Sequence, residues 1–228
     1  MRRHRLVAQW SVPDEAAAAG RDVLVLLHGY GTDEQGLYEQ ATSAVNAEVV
    51  IVSLKGPVAE GGGYAWVPME TSLATVTPDA IAAVARERAQ PVLDWLDMLP
   101  PTRSIGLLGV SQGAVVALHL LRLAPTRFSY AINLSGYVLA GEEIGDATLR
   151  RERPPVFWGR GRDDQVIPPS YVERTQDWLP RHSGLTSHVY PIGHEESPEE
   201  FADVATFVSS VTRGYLPPAS THPTRRAP

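Results

Sequence analysis

Cysteine is absent from the 228 residues, and lysine occurs once, at Lys55. Without cysteine the chain can form no disulfide, no thiolate metal site and no thiol nucleophile, although this does not separate a reducing compartment from an oxidising one. An excess of positive charge is missing too. Twenty basic residues face 26 acidic ones, for a formal net charge of -6, which leaves no footprint for a nucleic-acid backbone. No apolar run approaches the length of a membrane span, so integral membrane association is not expected. The basic residues Arg2, Arg3 and Arg5 precede an apolar stretch that stops at Trp10 and meets Pro13-Asp14-Glu15, so no leader core is expected. A cytoplasmic location is the default expectation. No His, Asp or Glu cluster has metal-ligand spacing, and neither a metal nor a cofactor is expected.

What the chain does have is 43% hydrophobic residues, enough for the core of one α/β domain. We expect a single domain over 1–213 and a disordered, proline-rich tail over 214–228. Short β-rich runs recur at 6–9, 23–27, 49–54, 105–108, 130–134, 156–158 and 189–190. Helical patterns lie at 34–47, 79–98 with Pro91 interrupting it, 112–122, 170–181 and 199–213. This alternation predicts a mostly parallel sheet of about seven strands with helices on both faces, and reactive residues at the carboxyl ends of the strands.

The segment Gly109-Val110-Ser111-Gln112-Gly113 joins one such strand to a helix. Composition alone would produce Gly-x-Ser-x-Gly in roughly one such chain in ten, so its context decides. Glycines at both ends let a strand turn sharply into a helix and hold Ser111 exposed in a strained conformation. A serine hydroxyl needs a base to take its proton and a third group to orient that base. His194, after the last strand, is the candidate base. Between them, the loop Gly161-Arg162-Asp163-Asp164 offers two adjacent carboxylates. The order Ser, Asp, His is the one a nucleophile elbow requires. Acyl transfer also builds charge on the carbonyl oxygen, and two amides are suited to receive it: that of Gln112 at a helix start, and that of Tyr30 in His28-Gly29-Tyr30-Gly31.

These motifs, together with Leu134-Ser135-Gly136, Asp164-x-Val166-Ile167-Pro168 and Gly193-His194-x-x-Ser197-Pro198, resemble the phospholipase/carboxylesterase family of α/β-hydrolases, which includes acyl-protein thioesterases. The similarity spans about 23–211. It implies an α/β-hydrolase fold and a triad of Ser111, Asp164 and His194, selecting Asp164 over Asp163, with Tyr30 and Gln112 as oxyanion donors. It also implies a small-molecule ester as partner. The segment 61–66 matches the family's substrate loop only loosely, so acyl preference does not carry over.

Tyr64, Trp66, Tyr137, Val138 and Val166 are candidate acyl-pocket residues. His28 is expected to brace the oxyanion loop, His119 to pack within its helix, and Ser135 to end its strand. Glu142-Glu143 and Glu195-Glu196 are expected on solvated faces. The glycines at 61–63 suit the loop 56–77 to a lid. The resulting expectation is a serine hydrolase of short- to medium-chain carboxylic esters. An acyl-protein thioesterase or lysophospholipase would use the same residues, and a non-catalytic binding protein on this fold is a further alternative. A hydrolase of cyclic esters, like the dienelactone hydrolases, is a weaker alternative, because those use a cysteine nucleophile and this chain has none. A homodimer is compatible with the sequence.

Overall fold

Alternation within the strand Asp22–Leu27 (β2) decides the layering. Val23, Val25 and Leu27 pack into one apolar cluster while Leu24 and Leu26 pack into another, and all five are fully buried. A strand buried on both faces belongs at the centre of a sheet with helices on either side. The computed structural model describes residues 6–68 and 78–213. The expected tail and the 69–77 part of the expected lid lie outside them.

The other strands are Ala8–Trp10 (β1), Val50–Leu54 (β3), Val58–Glu60 (β4), Gly63–Ala65 (β5), Ser104–Val110 (β6), Tyr130–Leu134 (β7), Pro155–Gly161 (β8) and Gly184–Tyr190 (β9). Seven of them form one sheet in the order β1-β3-β2-β6-β7-β8-β9, in which only β1 runs antiparallel; β4 and β5 pair as a separate hairpin. The α-helices are Glu34–Ala44 (α1), Pro78–Leu96 (α2), Gln112–Leu123 (α3), Asp146–Glu152 (α4), Pro169–His182 (α5) and Pro198–Arg213 (α6). Buried residues of α1 and α6 cover one face of the sheet, and those of α2 to α5 cover the other.

Several boundaries differ from expectation for physical reasons. Pro91 does not interrupt α2, although it removes one helical hydrogen bond. Val92, Trp95 and Leu96 just beyond it are buried in the core, and Trp95 lies 5.7 Å from Trp10, so tertiary packing outweighs the lost bond. Strand β9 begins at Gly184 rather than at 189. It is an edge strand whose polar Thr186, Ser187 and His188 carry no apolar run, yet each pairs with β8. Helix α4 and the β4–β5 hairpin had no periodic signal, being only 7 and 3 residues long per element.

A buried ion pair ties α3 to the far loop. Arg122 donates from Nε and Nη2 to Asp146 at 2.8 and 2.7 Å, and also to the carbonyls of Leu139 and Gly141. Glu143, expected in solvent, is instead turned inward, with its side chain 5% exposed and bonded to Arg86 at 2.6 Å. Its Oε1 lies 4.0 Å from His119 Nε2. His119 is packed within α3 with neither ring nitrogen hydrogen-bonded.

Candidate active site

Three strand ends carry the site. At the end of β6, Ser111 has φ 50° and ψ -115°, the left-handed side of conformational space that side chains rarely enter. Its neighbours permit this. A Cβ on Gly109 would lie 2.4 Å from the Gly113 carbonyl carbon, and one on Gly113 would lie 2.0 Å from the Leu27 oxygen. Ser111 precedes α3, yet its hydroxyl makes no capping bond to the helix. It reaches His194 instead, with Oγ 2.8 Å from Nε2.

The opposite ring nitrogen, Nδ1, is 2.8 Å from Asp164 Oδ2. The other carboxylate oxygen of Asp164 accepts from the amides of Val166 at 2.7 Å and Ile167 at 3.1 Å. A carboxylate held this way keeps Nδ1 protonated and leaves Nε2 free to accept from Ser111. Asp164 is the carboxylate that meets the ring; Asp163 is exposed. The two loops approach because both are bare of side chain at the contact: Gly161 ends β8 directly against the carbonyl of Gly193.

Tyr30 and Gln112 line the same cavity as Ser111 and His194. As the first residue of α3, Gln112 has an amide with no acceptor inside the helix. Its side chain is occupied elsewhere. Oε1 accepts from the amides of Trp66 at 2.7 Å and Val67 at 3.2 Å, and Nε2 donates to the Val67 carbonyl at 2.6 Å. The loop bearing Tyr30 is pinned from both sides. Gly31 donates to the Tyr64 carbonyl and Tyr64 donates back to Thr32, at 2.9 and 2.7 Å. His28, as expected, braces this loop: Gly56 donates to its Nε2 at 2.9 Å, so Nδ1 carries the proton and donates to the Gly29 carbonyl at 2.7 Å. Burial lowers its pKa and favours that neutral form.

The cavity measures ≈ 280 Å³. Of the five candidate pocket residues, Tyr137 and Val166 line it. The other three do not. Trp66 is fully buried and donates from its indole to the His28 carbonyl at 2.9 Å, so it braces the loop instead of facing substrate. Val138 is fully buried in the core. Tyr64 carries the Lys55 ammonium 4.3 Å above its ring, and Lys55 pairs with Glu34 at 3.2 Å. Thr32, Val110, Ile167 and Glu196 complete the wall. Ile167 lies within the motif that begins at Asp164 and Thr32 directly follows the one that ends at Gly31, which was the available signal. Glu196 is a correction, since it was expected in solvent; burial holds its carboxyl above the usual range. Another cavity, ≈ 320 Å³, lies at the amino ends of the strands beside Asp22 and Arg103 and contains no triad-like grouping.

Ser135 and two further histidines fall elsewhere. Ser135 ends β7 with φ 52° and donates its amide to Gly159 at 2.9 Å. His182 stacks on Trp178 at 3.9 Å, and His188 bonds Asp203 at 2.8 Å on the sheet edge. Among the described residues no cluster could hold a metal ion, and no helix is long and apolar enough to cross a membrane.

Comparison with known proteins adds an independent line. A family model described as phospholipase/carboxylesterase matches residues 12–212. Acyl-protein thioesterase 1 of Candida albicans is 30% identical over 118 residues, covering 49% of this chain and 51% of that protein. The Debaryomyces hansenii protein of the same name is 26% identical over 117 residues. The matched stretch thus spans about half the length of these relatives. Among solved structures, esterase PE8 superposes with a TM-score of 0.72 at 26% identity, covering 91% of this chain and 99% of that one. The carboxylesterase of Bacillus cereus reaches 0.74 at 20% identity, covering 91% and 95%; at that identity the likeness concerns the fold.

Proposed function

The chain belongs to the phospholipase/carboxylesterase family of α/β-hydrolases, and from that premise we propose that it cleaves carboxylic esters through a covalent acyl-enzyme formed on Ser111. The observation that carries this reading is the unbroken hydrogen-bond chain from Ser111 through His194 to Asp164. Ser111 Oγ attacks the ester carbonyl as its proton passes to His194 Nε2, and Asp164 stabilises the imidazolium that forms. The oxyanion is received by the amides of Tyr30 and Gln112, each such donor being worth about 3–4 kcal/mol in the transition state. His194 then gives its proton to the leaving alcohol oxygen. Water attacks the acyl-enzyme with His194 as base, which releases the acid and restores Ser111.

The Tyr137, Val110, Val166 and Ile167 side of the cavity supplies an apolar wall for the acyl group. A cavity of ≈ 280 Å³ favours short to medium acyl chains. A second reading is thioester cleavage with the same residues, favoured by the similarity to acyl-protein thioesterases over half the chain. Hydrolysis of p-nitrophenyl acetate, octanoate and palmitate, and of the matching thioesters, by wild type and Ser111→Ala tests both. We expect the short oxygen esters to be cleaved best and the substitution to cost on the order of 10⁶ in kcat. Activity unchanged in Ser111→Ala overturns the triad, and a preference for palmitoyl thioesters selects the second reading.

A further inference from the structure

The cavity that holds Ser111 shares one wall residue with a neighbouring hollow. Glu196 lines it and at the same time lines a larger hollow of ≈ 720 Å³ between α1 and α6, whose walls include Glu39, Ser43, Ser197 and Phe201. Among the described residues neither wall contains a lysine or arginine; His194 apart, the ionisable groups that could carry charge there near neutral pH are the carboxyls of Glu39 and Glu196. No ion pair engages Glu196 among the described residues. Nearby, Glu200 is 1% exposed, neither of its oxygens has a hydrogen-bond partner, and it is close enough for Glu196 to influence its ionisation. Another residue of the reaction cavity, Tyr30, has its pKa raised by burial and by the nearby carboxylate of Glu60. His194 apart, the charged side chains of the two walls are thus both acidic, in a chain whose formal net charge is -6.

Direction follows from the chemistry, and this step rests on the catalytic reading above. The atom that takes the proton from His194 Nε2 is the leaving oxygen, so the alcohol half of the substrate lies on the histidine's side of the cavity. Glu196 stands two residues from His194 on the same loop. The acyl half faces the apolar side chains of Val110, Tyr137, Val166 and Ile167. A half-buried carboxylate with no ion-pair partner has lost part of its hydration, and a ligand cation placed against it offsets that loss.

We propose that the side of the reaction cavity at Glu196, next to the hollow between α1 and α6, receives the alcohol portion of an ester that carries a positive charge, such as an ammonium two or three carbons from the ester oxygen, with Glu196 as the residue that selects for it. Leaving groups bearing phosphate or carboxylate are rejected by the same field.

The test compares butyrylcholine with its uncharged carbon isostere, 3,3-dimethylbutyl butyrate. Wild type is expected to favour the cationic ester by about two- to fivefold in kcat/KM at low salt, the range of a partly exposed ion pair. The preference shrinks in 1 M NaCl, where charges are screened beyond a few ångströms. Glu196→Gln reduces the ratio toward one, and because the ratio is internal to each variant, a general loss of rate in that variant does not imitate the effect. A wild-type ratio near one, or a ratio unchanged in Glu196→Gln, with both esters cleaved in a Ser111-dependent way, overturns the proposal and leaves the hydrolase reading intact. Cleavage of p-nitrophenyl esters without cleavage of the choline ester also overturns it. If no ester is cleaved through Ser111, the proposal falls together with the catalytic reading.

Discussion

Gly161 and Gly193 meet across the ends of β8 and β9 so closely that a Cβ on Gly161 would lie 1.8 Å from the Gly193 carbonyl oxygen. That contact brings the carboxylate loop to the histidine loop and sets the 2.8 Å separation between Asp164 and His194. Gly161→Ala forces the two loops apart by more than an ångström, and a misplacement of that size costs about 100-fold in kcat. Steady-state hydrolysis of p-nitrophenyl acetate checks this. A variant as active as wild type would mean that the loops tolerate separation.

Asp164→Asn preserves shape while turning an acceptor into a group that can donate, which favours the wrong imidazole tautomer. The expected loss is on the order of 10⁴ in kcat. Combined with Gly161→Ala it should add little, because both changes act on one interaction. Additive losses in the double variant would show that the glycine serves some other purpose.

Gln112→Ala keeps the main-chain amide assigned to the oxyanion and deletes the side chain that holds Trp66 and Val67. Two amides and a carbonyl lose their partners, for about 1–3 kcal/mol of stability. Hydrogen exchange should accelerate at Trp66 and Val67 specifically. Unchanged protection there would rule out the clamp.

Two buried titrating groups give stability opposite slopes with pH. Burial, aided by the charge of Glu196, pushes the Glu200 carboxyl up to about 7 from an ordinary 4.5. The native state then holds a proton that the unfolded chain has released, so stability is full below pH 4.5 and is lost as pH rises toward and through 7. Glu200→Gln should gain roughly 3 kcal/mol relative to wild type between pH 4 and pH 8. His119 runs the other way: burial first, with Arg122 and Arg86 adding to it against Glu143 and Asp146, lowers it to about 4 from 6.5. Its contribution is present above pH 6.5 and is lost as pH falls through 4, and His119→Leu should flatten that acid limb. Urea unfolding of the three proteins from pH 4 to 8 separates the two; parallel profiles would refute both assignments.

Arg122→Leu leaves Asp146 buried without its partner, at a cost of about 3–5 kcal/mol. The double change Arg122→Leu with Asp146→Leu should recover much of it, since the price of an unpaired charge then disappears. Equal unfolding midpoints for wild type and Arg122→Leu would contradict this.

The strand alternation and the motifs at strand ends were readable because each is local: a β-run, two glycines around Ser111, a histidine after the last strand. Apolar periodicity likewise exposed five of the six α-helices among the described residues, within a few residues at their ends. What sequence could not reveal depends on partners far along the chain. Trp66 resembles a pocket aromatic until the His28 carbonyl, 38 residues away, is found bonded to its indole. Glu196 and Glu143 resemble solvated charges until the wall of the reaction cavity and Arg86 are found against them. Pro91 resembles a helix break until the core beyond it is counted.

The single lysine has a practical meaning for chemical conjugation. Lys55 is the only side-chain amine in the chain, and it lies over Tyr64, whose main chain is stitched to Gly31 and Thr32 in the loop that carries Tyr30. Dyes and resins that couple through amines would thus attach on side chains at one address, beside the reaction cavity, where an attached group reports on or obstructs that loop. Thiol chemistry starts from a blank chain, and a cysteine placed at exposed Gln176 on α5 would provide a handle outside both cavity walls.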